Sequence, residues 1–152
     1  MTGSLNATPP PGPRELFECW QRLVLGNDPD TLGTLSSPDV ILEAPFAAPG
    51  HPRRIEGREQ FLAFARPRRS ALPARFEEFR DVVIHDTADP DVIIAEYELA
   101  GTVTTTGARA SAPFVVVLTA RDGKITRWRE YQDTLGMAVS LGQLPALLDS
   151  VS

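Results

Sequence analysis

The order of its predicted elements constrains the fold of this chain more than any other feature. Helical patterns and one short extended stretch come first, and a run of longer extended stretches follows. The helical patterns cover 14–25, 28–35 and 57–66, and the extended stretches cover 39–46, 75–86, 91–101, 109–120 and 124–133. Turn signals such as Asp-Gly at 122–123 separate the later stretches, which is typical of hairpins. This order predicts an α+β fold, in which three helices of the N-terminal half cover one face of a curved antiparallel sheet. We expect a cone-shaped barrel with an apolar pocket inside.

Two residues are expected to end helices. The first helix carries an apolar stripe at helical spacing, and Gly26 follows it as a left-handed stop. The third helix is expected to stop at Pro67, because proline lacks the N–H that continues a helix.

Length and composition favour one globular domain. The chain has 152 residues, of which 42% are hydrophobic and 23% charged. We expect a flexible Pro-rich tail at 1–13, a domain at 14–140, and a C-terminal tail at 141–152 that covers an edge or the mouth. The sequence shows no secretory signal pattern at its start, so the expected compartment is the cytoplasm.

The net charge of −5 argues against nucleic acid or an anionic membrane as the partner. Two scattered histidines and one cysteine predict no metal site. The chain has no glycine-rich phosphate loop, so no cofactor is expected. An arginine-rich segment at 53–75 can be interpreted as an anion-binding rim, but we favour a solvated surface.

Glu130 is the sharpest chemical feature of the sequence. In the stretch 124–133 the odd positions include Arg127 and Arg129, which favour water, so the even positions should face inward. Glu130 is then the only formal charge on the inner face, two residues from Trp128. Burial would raise its pKa towards neutrality and make the carboxyl a useful proton donor or acceptor. Two alternatives stay open: Glu130 pairs with an arginine and holds the sheet, or the odd face is the inner one.

Four stretches carry a resemblance to a known family. They read FECWQRLVLGNDPD at 17–30, EAPF at 43–46, IEGREQFLAF at 55–64 and DGKITRWREYQD at 122–133. They resemble the nuclear transport factor 2-like superfamily, in the branch of SnoaL-like and ketosteroid-isomerase-like proteins. The resemblance covers about residues 14–140. The superfamily includes isomerases, cyclases, dehydratases, epoxide hydrolases and non-catalytic binders, so function has to be argued from the site.

Within that superfamily the site pattern is closest to phenazine-biosynthesis isomerase-type proteins. Their acid/base glutamate lies on the last strand before an aromatic residue, and Arg129-Glu130-Tyr131 is similar. The histidine of their third helix is absent, since Phe64 stands there. The ketosteroid isomerase pattern fails, because Ala44 replaces its catalytic aspartate.

These arguments together predict a cofactor-independent isomerase, cyclase or dehydratase that acts on a hydrophobic natural-product intermediate. Glu130 would be the catalytic acid/base. Substrate contacts are expected from Trp20, Leu42, Phe46, Phe61, Tyr97, Val115, Trp128 and Gln132. Glu43 and His51 are possible accessory groups. The alternative is a non-catalytic small-molecule-binding module or partner subunit, and family resemblance implies a homodimer.

Overall fold

The computed structural model of the chain describes residues 8–152 and contains five helices and six strands. The helices are α1 (Pro13–Leu25), α2 (Thr31–Leu35), α3 (Arg58–Ala71), α4 (Thr134–Ser140) and α5 (Leu144–Asp149). The strands are β1 (Ser36–Glu43), β2 (Arg54–Glu56), β3 (Ala74–Asp86), β4 (Val92–Val103), β5 (Arg109–Arg121) and β6 (Lys124–Gln132). The predicted helices of the N-terminal half are present, and the four long strands begin and end within two residues of the predicted bounds.

The strands form one curved sheet in the order β2-β1-β6-β5-β4-β3. Neighbours pair antiparallel except β1 and β6, which pair parallel. β2 and β3 are the free edges, so the sheet is not closed into a barrel. The α+β class is therefore confirmed, with a half-open cone rather than a complete barrel.

A tight turn joins the last two strands. Asp122 and Gly123 both have positive φ angles, 53° and 77°. Two consecutive residues of this kind form the hairpin turn that matches the twist of antiparallel strands, and Asp-Gly is a favoured pair for it. The turn signal in the sequence thus identified the hairpin correctly.

Irregularities in strand pairing interrupt the alternation of side chains. The register of β3 against β4 shifts between Phe76 and Glu78 and again between Arg80 and Val83. The register of β5 against β6 shifts between Thr119 and Ala120, so Ile125 pairs with Ala120 while Arg127 pairs with Thr119. Such bulges bend and twist a strand, and they contribute to the curvature of the sheet.

The first helix ends at Leu25 as predicted, but the structure corrects the conformation expected of Gly26 and the end of the third helix. Gly26 has a φ angle of −84°, and the left-handed conformation falls on Asn27 at 59°. α3 continues through Pro67 to Ala71. A proline there removes one hydrogen bond to the carbonyl of Ala63. Ala63 is exposed, so water can satisfy that carbonyl.

The core lies between α1 and the concave face of the sheet. Leu16, Phe17, Trp20 and Val24 of α1 are buried there, which confirms the apolar stripe. α1 contacts β3, β4, β5 and β6, whereas α3 packs on β1 and β2.

The N-terminal and C-terminal regions were both predicted to be tails, and the structure describes only part of the first. Residues 1–7 of the predicted N-terminal tail lie outside the described residues, and α1 begins at Pro13. The C-terminal region forms α4 and α5, which were not predicted, and α4 contacts β5. A division at residue 140 stays a prediction. None of the helices that residues 8–152 form has the length and apolar character of a membrane-spanning segment.

Most arginines of the 53–75 segment contact this chain itself. Arg66 makes a two-pronged hydrogen bond to Asp30, with distances of 2.8 and 3.0 Å. Arg58 donates to the backbone carbonyl of Ser36, and Arg68 lies over the Phe64 ring. These contacts favour the interpretation of the segment as a structural surface.

Candidate active site

Strand pairing places three rows of side chains on the concave face. Each row takes one residue from β4, one from β5 and one from β6. The rows are Ile93–Leu118–Trp128, Ala95–Val116–Glu130 and Tyr97–Phe114–Gln132. Glu130 therefore occupies the middle row, with an alanine and a valine as its strand neighbours. This placement agrees with the alternation argument, and the alternative in which the odd positions of β6 face inward does not hold.

Six aromatic rings surround this part of the concave face. They are Phe17, Trp20, Phe79, Tyr97, Phe114 and Trp128. Neighbouring ring centroids lie 4.8 to 5.6 Å apart, within the range of favourable aromatic contacts. We call these six residues the aromatic cluster.

Glu130 is tied to the aromatic cluster by two hydrogen bonds. The Tyr97 hydroxyl and the Trp128 indole N–H both donate to Oε1, each at 3.3 Å. In the described part of the chain no hydrogen bond reaches Oε2. The two oxygens of the carboxyl are thus in different hydrogen-bonding environments.

The surroundings shift the proton affinity of both groups. Burial raises the pKa of Glu130, and the hydrogen bonds from Trp128 and Tyr97 oppose this increase without cancelling it. Burial and the neighbouring Glu130 carboxylate raise the pKa of Tyr97 well above its usual value. The carboxyl therefore holds its proton to higher pH than an exposed glutamate, and the tyrosine stays a hydrogen-bond donor.

An apolar cavity opens next to the aromatic cluster. It has a volume of about 100 Å³ and lies between the start of β5, the end of β4 and α4. Phe76, Leu99 and Phe114 form its inner wall. Phe114 stacks on Tyr97 with centroids 5.3 Å apart. The row Tyr97–Phe114–Gln132 therefore lies between the cavity and the row that contains Glu130.

Most of the predicted contact residues lie around Glu130. Trp20, Tyr97 and Trp128 belong to the aromatic cluster, and Leu42 is buried beside Trp128 across the parallel pairing. Phe61 packs on the same core from α3. Gln132 lies one row further towards the mouth and donates to the Thr134 hydroxyl at 3.1 Å. Their roles in substrate binding stay predictions.

The structure corrects two expected lining residues. Val115 lies on the convex face, because its strand partners are Glu96 and Tyr131. Because β5 is apolar on both faces, its sequence does not show whether Val115 faces inward or outward. Phe46 is 59% exposed and packs on Tyr131, outside the concave face. Neither residue lines the interior.

The two accessory candidates do not lie beside Glu130. Glu43 points to the convex side, where Arg127 donates to it at 2.7 Å and Arg54 at 3.5 Å. His51 is exposed in the loop between β1 and β2, 6.3 Å from the Phe64 ring.

Three members of the aromatic cluster were not predicted as site residues. Phe17 stood in the predicted apolar stripe of α1, one turn before Trp20, and that spacing was the available signal. Phe79 lies between the two bulges of β3. The bulges interrupt the alternation of side chains, so the alternation could not assign Phe79 to a face. Phe114 shares a row with Tyr97 and Gln132, which becomes visible only with the strand register.

Metal-ligating side chains do not gather in the part of the chain that the structure describes. Residues 8–152 contain no group of three or more His, Cys, Asp or Glu side chains placed to hold an ion. The chemistry that the described residues themselves can supply is proton transfer at the Glu130 carboxyl.

Comparisons with known proteins agree with this architecture. An uncharacterised PhzA/B-like protein of Pseudomonas aeruginosa is 35% identical over 125 residues, which are 82% of this chain and 86% of that protein. A crystal structure of a provisionally named isomerase from Bacillus subtilis superposes with a TM-score of 0.77 at 25% identity, over 86% of this chain and 92% of the other. A provisionally named polyketide cyclase from Xanthomonas campestris has the same fold, with a TM-score of 0.66 at 22% identity over 84% and 95% of the two chains.

A family model confirms the resemblance seen in the sequence. The model of the SnoaL-like domain matches residues 14–128, most of the chain. The match spans α1 from Arg14, α2, α3, strands β1 to β5 and all six residues of the aromatic cluster, and it ends two residues before Glu130. The chain belongs to the SnoaL-like family.

Proposed function

We propose that the protein is a cofactor-independent isomerase, cyclase or dehydratase that moves a proton on a hydrophobic natural-product intermediate. Glu130 is the proposed acid/base. The observation that carries the proposal is a carboxyl with a raised pKa on the concave face, held at one oxygen by Tyr97 and Trp128. Perturbed carboxyls of this kind are enriched at catalytic sites.

The two oxygens of Glu130 have different proposed roles. Oε1 accepts both hydrogen bonds, so it fixes the plane of the carboxyl. Oε2 delivers the proton to one atom of the substrate, and the resulting carboxylate then takes a proton from another. The cycle returns Glu130 to its starting state and needs no second reactant when the reaction is an isomerisation. A positioned acid/base of this kind contributes on the order of 10²–10⁴-fold in rate.

Tyr97 acts on Glu130 in this proposal, because its hydroxyl proton is already donated to Oε1. The sequence had predicted that Tyr97 contacts the substrate directly. Gln132 is the better donor to a substrate, since it lines the hollow beside α4 and its amide has two N–H groups, one of which donates to Thr134.

The names of related proteins support a reaction of this class. They include a PhzA/B-like protein, an isomerase and a polyketide cyclase. Isomerisation and ring closure both require a proton to move between two positions of one substrate, and one carboxyl can perform that step.

A non-catalytic binding module is the second candidate, because no open space in the described residues reaches the Glu130 carboxyl. The volume of about 100 Å³ is below the roughly 300–1,000 Å³ typical of small-molecule sites. The aromatic cluster fills the space around Glu130, so a ligand has to displace side chains before it reaches the carboxyl.

Deuterium exchange distinguishes the two candidates. The protein is incubated in D₂O with a panel of neutral, apolar, enolisable ketones, and incorporation is followed by mass spectrometry. An enzyme of the proposed class transfers deuterons to at least one of them, and Glu130→Gln lowers the rate by about 10²-fold or more. The matched control is Glu98→Gln, since Glu98 lies on the convex side opposite Pro113.

Two outcomes contradict the acid/base role. One is exchange at the wild-type rate in a folded Glu130→Gln variant. The other is tryptophan fluorescence that reports binding of these ketones while no deuterium is incorporated, which is the behaviour of a binding module.

A further inference from the structure

Two separate hollows flank α4. The first is the apolar cavity of about 100 Å³ described above. The second has a volume of about 430 Å³ and lies between α4, α5 and the loop that contains His51. Met137 and Leu141 line both hollows. Met137 lies in α4, and Leu141 caps the end of this helix four positions later. Both side chains therefore project to the same side and stand as a wall between the two hollows.

Each hollow is lined by one member of the same strand pair on the concave face. Phe114 lines the first and Gln132 lines the second. These residues are directly paired between β5 and β6, and the next pair on the concave face is Val116 with Glu130. Both hollows therefore end one row from the proposed acid/base.

The Met137 and Leu141 side chains and the helices that carry them are only weakly packed. Met137 and Leu141 are only half-buried, and Ala138 is the only buried residue of α4. α5 has no buried residue. Methionine is flexible and adapts easily to irregular spaces, so a change of side-chain conformation at the wall costs little.

We propose that the two hollows are one binding site, divided by the Met137 and Leu141 side chains, which move aside when a ligand enters. This proposal rests on the proposed function, because the ligand would be the substrate of Glu130. The second hollow already has a volume in the range typical of small-molecule sites, and joining the hollows gives that ligand a path to the Phe114–Gln132 pair.

The lining defines the chemistry of the ligand. The first hollow is walled by apolar side chains such as Leu72, Phe76 and Leu99. The second offers hydrogen-bonding groups from His51, Gln132 and Thr134. Neither hollow is lined by an arginine or lysine among the described residues, so a carboxylate or phosphate would find no fixed cation. The site therefore fits an uncharged, largely apolar molecule with a hydrogen-bonding group at one end.

A neutral dye tests the shared wall. Nile red is titrated into the full chain, and its fluorescence gives a dissociation constant. The double variant Met137→Ala/Leu141→Ala removes the wall and should bind the dye about fourfold tighter or better, the gain from burying roughly one more methylene-sized area. Leu135→Ala/Val139→Ala is the matched control on the same helix, because both residues are exposed, by 61% and 57%. Its dissociation constant should equal that of the wild type.

A filling variant gives the opposite change. Met137→Trp should weaken Nile red binding at least about tenfold by occupying the joined space, and Leu141→Trp serves if the first variant does not fold. The proposal is overturned if the wall variant and its control have the same dissociation constant, or if a folded filling variant binds like the wild type. Since dye binding needs no turnover, these results are independent of the Glu130→Gln assay.

Discussion

The hydroxyl of Tyr97 donates a hydrogen bond to Oε1 of Glu130 although their strands are not neighbours. Tyr97 lies on β4 and Glu130 on β6, and β5 runs between them. The bond therefore crosses the concave face above Val116. It connects the chemistry of the carboxyl with the curvature of the sheet, because a flat sheet would hold these side chains further apart.

Removing this hydroxyl should raise the pKa of Glu130. The hydrogen bond favours the charged carboxylate and partly offsets the increase in pKa that burial causes. In Tyr97→Phe this offset is lost, so the pKa of Glu130 rises further. Isotope-edited infrared spectroscopy of the protonated carboxyl, with Glu130→Gln as the blank, measures the titration. Tyr131→Phe is the matched control on the convex face. A Glu130 titration that is identical in Tyr97→Phe and the wild type would contradict the role of Tyr97.

The burial of Glu130 should also affect how the stability of the protein depends on pH. Because the pKa of Glu130 is raised in the folded protein, the folded chain keeps a proton that the unfolded chain has released. The free energy of unfolding then falls as pH rises between the two pKa values. The contribution is complete below the pKa of an unfolded glutamate, about 4.3, and is lost as pH rises through the folded value.

Glu130→Gln removes this titration. Urea unfolding at a series of pH values should show that the difference in unfolding free energy, wild type minus variant, decreases from about pH 4 upwards. A difference that stays constant or increases with pH would mean that Glu130 is not buried as a carboxylic acid in solution.

Glu43 should matter for stability and not for turnover. Its side chain is 14% exposed and contacts Arg54 and Arg127 on the convex side. Glu43→Gln should lower the free energy of unfolding by about 1–3 kcal/mol, the value of hydrogen bonds to charged groups. Glu56→Gln is the control, since Glu56 is 69% exposed and an exposed pair contributes about 0–1 kcal/mol. Urea unfolding measures both. Loss of deuterium exchange in a stable Glu43→Gln variant would return Glu43 to the candidate catalytic groups.

The convex face should form a homodimer. Ile94, Val115 and Val117 lie together in its middle and are half-buried in the single chain. An apolar patch of this kind is typical of an interface. Light scattering at micromolar concentration should give twice the chain mass of 16.6 kDa, and Val117→Glu should reduce it to one chain. A wild type that scatters as a single chain would refute the dimer.

The sequence predicted the strands and the side of Glu130 for a simple physical reason. Turn residues mark the ends of the four long strands, and charged arginines at 127 and 129 leave only the even positions of β6 for the inner face. Alternation holds from Arg127 to Gln132 because no bulge interrupts the pairing there. It fails at Ile125, which is fully buried despite its odd number, since the register shifts just after it.

Other parts of the site could not be predicted from one chain. β5 is apolar on both faces, so nothing local distinguishes Val115 from Val116. The aromatic cluster takes rings from α1 and from four different positions of the sheet, and the bulges of β3 disguise Phe79. α4 and α5 are short helices with little buried surface. They therefore lack the long apolar stripe by which a helix can be recognised in a sequence.

The position of β6 has a consequence for the order in which the protein is made. It is the last strand to be synthesised, yet it lies inside the sheet, between β1 and β5. Until residues 124–132 leave the ribosome, the two strands that flank it each present an unpaired edge, and such edges invite wrong pairing. Insertion of β6 fills this gap and brings the Glu130 carboxyl to the concave face in one step, so a nascent chain that has not completed its sheet lacks the proposed acid/base.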